Sequence, residues 1–162
     1  MAIIKVHNVP LVPQPTDGVC WYASARMLYR WSKTTGKGSM TNPQDNAVTS
    51  ARFNDNASWD SNQNGLLAGY VGMQKFNGLD MDLDSLNSFF SSHGPIWTAL
   101  QKNWGGHDYG HVVVICGVSD TGVFVHDPEP MTRGSGKWLT WGQINEAISS
   151  FAGGDFQYLT AA

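Results

Sequence analysis

Cys20 has the setting of a nucleophilic thiol. It follows Gly18 and Val19 and opens a run in which Trp21, Ala25, Leu28 and Tyr29 recur at helical spacing, with Ser24, Arg26 and Arg30 elsewhere on the wheel. Thiols are nucleophilic as thiolates, and a helix N-terminus and a neighbouring imidazolium both favour that form. A helix beginning at Cys20 supplies the first, so the chain must supply a histidine. Gln14, six residues earlier in a loop held by Pro13 and Pro15, carries an amide able to donate to an oxyanion beside the backbone N–H of Cys20.

Five histidines compete for the role of base. His7 lies in an N-terminal arm, His93 ends a helical run before Gly94 and Pro95, and His126 alternates with Val125 and Asp127 and so faces away from Asp127. Between His107 and His111 the reading favours His111. It begins a β-branched strand, follows a glycine that lets a substrate approach, and has Asp127 sixteen residues on across a hairpin. An odd hairpin centred on Asp120 sets Asp127 opposite Val113, on the face of His111 and diagonal to it at roughly 7 Å. An even turn puts it on the wrong face. On the right face its charge would favour the imidazolium and hence an ion pair with Cys20.

Two other chemistries fit less well. His107 and His111 are four apart beside Asp108, a zinc spacing on a helix, but Gly105, Gly106 and Gly110 argue against helix and no third ligand is evident. No metal is expected. The seven tryptophans read as core and cleft-wall aromatics rather than a carbohydrate platform. Trp21 is expected beneath the nucleophile, and Trp104 and Gly110 in the cleft near His111.

Gln14, five residues, then Cys20-Trp21, with Gly110-His111 opening an apolar strand and Asp127 closing the next, resembles the papain-like cysteine proteases. Within that group, residues 9–14 ahead of Cys20-Trp21-Tyr22-Ala23-Ser24 are similar to the AvrRpt2-type bacterial effector proteases. The resemblance implies an α+β papain-like fold, in which an N-terminal helical half carrying the nucleophile packs on a C-terminal antiparallel β-sheet half. It implies peptide-bond cleavage by Cys20, His111 and Asp127, an oxyanion hole of Gln14 and the Cys20 N–H, protein substrates and no cofactor. It also implies a bacterial protein exported by a dedicated secretion system into another cell. There are departures. Asp17 stands where papain-group enzymes carry a cysteine, Asp127 replaces an amide as orienting residue, and Cys116 is the one other cysteine. A Cys-His site can equally cut peptidoglycan amides or transfer acyl groups, in the manner of transglutaminases and deamidases. An inactive papain-like domain used for binding is the non-enzymatic alternative.

The rest of the chain agrees with one globular domain over residues 1–162, being 41% hydrophobic and 14% charged. A net charge of −3 without a Lys/Arg cluster argues against nucleic acid as partner. No secretory signal or membrane span is visible. Nineteen residues precede Cys20, so an inhibitory pro-segment is not expected; restraint by a separate inhibitor or immunity protein, or activation in the target cell, would take its place. Cys116, inside a Val-Ile run, reads as a small core hydrophobe. The expected order is an extended arm, the Cys20 helix and a polar segment 32–65 with a short helix near 43–53. A helix over 66–76 and a better one over 83–93 follow. Strands at 96–100, 111–118, 123–127 and 156–159 come next, with a mobile loop at 105–110, a glycine-rich loop after Asp127 and a helix over 141–151.

Overall fold

The structure, a computed structural model, describes residues 1–151 and 154–162, with the backbone alone at Trp104. Helix α1 (Cys20–Thr35) buries Trp21, Ala25, Met27, Leu28 and Trp31 on one side. It ends at Gly36, whose positive φ of 71° lets its N–H turn back to the Ser32 carbonyl. Polar caps organise the next segment: Asn46 accepts from the N–H groups of Val48 and Thr49 to start α2 (Ala47–Asn54). Helix α3 (Asn64–Val71) is shorter than expected. Gly72, at φ 73°, stops it, and the chain leaves as strand β2 (Gln74–Phe76) instead of continuing as helix. Asp82 caps α4 (Leu83–His93) through the Ser85 N–H.

From there the chain is largely sheet. Strands β3 (Ile96–Trp104), β4 (His107–Ser119), β5 (Gly122–Asp127) and β6 (Ser135–Thr140) run as an antiparallel meander, followed by α5 (Trp141–Ser150) and β7 (Tyr158–Thr160). The order is β2-β7-β3-β4-β5-β6, with β1 (Ile3–Val6) paired to the far end of β4. Two expected loops are strand. Gly105 and Gly106, at φ 59° and 85°, make a two-residue turn of the kind that needs positive φ, so residues 107–110 pair with residues 101–104 and no mobile loop remains. Likewise residues 135–140 form β6; Gly136 fits because a Cβ there would lie 2.9 Å from the Phe124 ring.

Alternation divides the core. Val112, Val114, Cys116, Trp97 and Ala99 face α1 and α3, while Val113, Ile115, Leu100, Val123 and Val125 face α4 and α5. The sheet is therefore covered on both faces, with the first three helices on one side and the last two on the other. The expected α+β mixture of helices and antiparallel sheet is present. No helix among the described residues is long and apolar enough to cross a membrane.

Candidate active site

Helix α1 starts without a side-chain cap: Val19 holds the N-cap position, and no acid lies in the first turn. The Val19 carbonyl accepts from the N–H groups of Tyr22 and Ala23, while those of Cys20 and Trp21 have no acceptor among the described residues. The positive end of the helix is thus left to the half-buried Cys20 thiol and whatever binds beside it. Two cross-layer hydrogen bonds fix this turn against the sheet. Ser24 Oγ donates to the Val112 carbonyl at 3.3 Å, and Trp97 Nε1 donates to the Trp21 carbonyl at 3.1 Å. Trp21 is buried against Trp59 and donates from Nε1 to Ala57.

His111 and Asp127 reach one another across β4 and β5. His111 Nε2 lies 2.7 Å from Asp127 Oδ1, with both side chains at most 5% exposed. The register achieves this by an unexpected route. Near the turn, Val118 pairs with Val123 and Gly117 with Phe124, which is an even turn and the wrong parity. A bulge at Cys116 takes up one residue, after which Ile115 pairs with Val125 and Val114 with His126. That register brings Asp127 level with Val113, on the face of His111.

Three residues around Asp127 escaped the sequence reading. Lys102 Nζ donates to Asp127 Oδ2 at 2.8 Å and to Glu129 Oε1 at 3.1 Å, and the Tyr109 hydroxyl donates to Glu129 Oε1 at 2.7 Å. The Glu129 N–H adds a bond to Asp127 Oδ1 at 2.8 Å. Tyr109 stands two residues before His111 and Glu129 two after Asp127, a spacing that alternation could have flagged. Lys102 was hidden because its strand was expected to end at residue 100.

The electrostatics follow from these contacts. Burial pulls the His111 pKa down, but the hydrogen bond to Asp127 and the adjacent Cys20 side chain outweigh it and raise the pKa to about 9. Burial would push Asp127 up; instead His111, Lys102 and the Glu129 N–H hold it down at about 2. With Asp127 ionised, Nε2 carries the ring proton and Nδ1 is the nitrogen left for the thiol. His111, Asp127 and Glu129 also place ligand-type atoms within 4.8 Å of one another. Lys102 Nζ already sits between the two carboxylates as their cation.

Cys20 and His111 line one cleft of about 280 Å³. Trp59 and Asn64, from the polar connector, form part of one wall, and Tyr109, Gly110 and Phe151 part of the other. Trp21 lines it as expected, and the Trp104 side chain lies outside the described residues. The Gln14 amide is engaged within its own loop. Gln14 is fully buried, and its Nε2 donates to the carbonyls of Thr16 at 2.8 Å and of Asp17, a cleft residue, at 3.3 Å, while Oε1 has no partner among the described residues. Its backbone ties the loop to the segment after β5 through Pro128 and Thr132.

A Cβ on Gly110 would lie 3.0 Å from Phe151 Cε2. Gly110→Ala is therefore expected to push Phe151 into the cleft, raising KM roughly tenfold with kcat changed less than about twofold, as steady-state kinetics would show.

A thiol at an uncapped helix start, facing a strand-borne imidazole that is itself held by a buried carboxylate, on an α+β scaffold, defines the papain-like class of site. The family model described as papain-like cysteine protease AvrRpt2 matches residues 4–145, and the chain belongs to that family. A search of curated proteins gave no significant match.

Proposed function

We propose that the protein is a cysteine peptidase that cleaves protein substrates, and the observation that supports this most is that Cys20 and His111 line one cleft while Asp127 holds the His111 ring. Cys20 Sγ attacks the scissile carbonyl carbon while His111 holds the proton on Nδ1. The developing oxyanion takes the Cys20 N–H, which has no acceptor among the described residues. For Gln14 to act as second donor it must release the longer of its two bonds, that to Asp17. Collapse of the tetrahedral intermediate breaks the C–N bond and the leaving amine takes the His111 proton. Water, deprotonated by His111, then hydrolyses the thioester. Asp127 keeps the ring oriented throughout.

Two free thiols suit a reducing compartment, in keeping with a bacterial effector acting inside a recipient cell under the control of an inhibitor or a target-side activator. The test compares wild type with Cys20→Ala on a protein or peptide library and on purified peptidoglycan, reading new termini by mass spectrometry. New protein termini that vanish with Cys20→Ala are expected. Cut muropeptides or transferred acyl groups instead would replace the peptidase reading by an amidase or acyltransferase one, and silence on all substrates would overturn it in favour of a binding domain.

A further inference from the structure

We propose that Glu129 is a second carboxylate partner of His111, able to accept the Nε2–H hydrogen bond when Asp127 cannot, and that Lys102 and Tyr109 hold it in place for this. The proposal rests on the reading of His111 as the base. Glu129 Oε1 lies 3.3 Å from His111 Nε2, within ion-pair reach, while the ring N–H is directed at Asp127 Oδ1 at 2.7 Å. A small rotation of the imidazole exchanges one acceptor for the other.

Glu129 is built into the site, not a solvated surface acid. Its side chain is 23% exposed. Its N–H donates to Asp127 and its carbonyl accepts from Ser135 Oγ at 2.8 Å, so the backbone is fastened on both sides. Its Oε1 is fixed by Lys102 and Tyr109. Two carboxylates this close, with one imidazolium, would ordinarily share a proton, because the second charge is repelled by the first. Lys102 Nζ bridges them, 2.8 Å from Asp127 and 3.1 Å from Glu129, and its charge offsets that repulsion. The groups facing His111 are then Cys20 from α1, Lys102 from β3, Tyr109 from its own strand, Asp127 from β5 and Glu129 from the loop beyond. Glu129 acts through His111 and touches no substrate in this scheme, so it is a positioning residue.

Redundancy predicts a particular non-additivity. The intact chain, labelled at histidine, is titrated by NMR as wild type, Asp127→Asn, Glu129→Gln and the double variant, following the His111 ring nitrogens. Glu129→Gln alone should move the His111 midpoint by less than about half a pH unit, whereas in the Asp127→Asn background it should lower it by about one unit or more. Turnover should follow, with Glu129→Gln costing about twofold in wild type and about tenfold or more beside Asp127→Asn. Equal shifts in the two backgrounds would overturn the proposal and make Glu129 only a counter-ion for Lys102. Because the titration needs no turnover, it separates this failure from failure of the peptidase reading. Should the double variant not fold, Glu129→Asp in the Asp127→Asn background keeps the charge and shortens the reach. It is expected to lower the midpoint as Glu129→Gln does, and an unchanged midpoint there would overturn the proposal.

Discussion

His111→Ala is expected to lower kcat/KM by about 10⁴-fold or more, close to the loss from Cys20→Ala itself, because nucleophile and base act as a unit. The site gives this variant no substitute. His107 shares the strand but is exposed at the turn, and His126 faces the other side of β5. Its Nδ1 is buried with no partner among the described residues, and burial lowers its pKa. Alkylation by iodoacetamide at pH 6 should slow in parallel, since the neighbouring cation that favours a thiolate is gone. Rapid alkylation of Cys20 at pH 6 in His111→Ala would assign thiol activation to the helix terminus alone.

Asp127→Asn should cost about 100-fold in turnover, less than the loss seen when an orienting aspartate has no neighbour to replace it. It should also reshape the pH profile. Turnover needs the imidazolium to protonate the leaving amine, so in wild type it should fall as pH rises through about 9. Without the Asp127 charge, burial works against the cation less opposed, and that limb moves to lower pH. Stability carries the same signature with the sign fixed by linkage. The raised His111 pKa stabilises the folded chain fully below its ordinary value of 6.5, and this is lost as pH rises to about 9. The lowered Asp127 pKa stabilises it above the ordinary 3.8, and this is lost as pH falls to about 2. Both contributions are complete between 3.8 and 6.5. Denaturant midpoints should therefore be higher at pH 5.5 than at pH 9.5 in wild type, with the difference reduced in Asp127→Asn. A difference that survives unchanged in the variant would remove the ion pair as its source.

Much of this arrangement was legible in residue order. The 3.6-residue period after Cys20 and the β-branched run after His111 are strong signals, and they carry the two residues that meet in the cleft. Asp82, Gly94 and Gly36 mark helix ends by chemistry that is local in sequence. What stayed hidden is polar or long-range. Residues 101–104 and 107–110 are mostly charged, amide and glycine residues, with Trp104 and Tyr109 the two large aromatics, so they lack the apolar alternation that would betray a strand; their pairing is set by the Gly105-Gly106 turn and by continuity with the buried half of β3 and β4. Residues 135–140 form a strand because β5 offers an edge, and β2 depends on a partner at the far end of the chain. Gln14 was read for its spacing to Cys20, whereas its own amide folds back on a loop whose carbonyls need donors.

The bulge at Cys116 and the length of the β4–β5 turn together fix the facing of Asp127. Side chains in a strand obey parity, so deletion of a single residue between Val118 and Val123 would turn the carboxylate away from the imidazole, while deletion of a pair would not. Here the odd residue is absorbed deep in the sheet, in a stretch otherwise occupied only by core packing. Drift in the exposed turn can therefore proceed in steps of two, or in steps of one wherever the bulge is lost or gained at the same time. Among relatives, the count of residues separating base from carboxylate should vary with that rule, and an odd change without a compensating bulge would mark a lineage whose cleft no longer assembles.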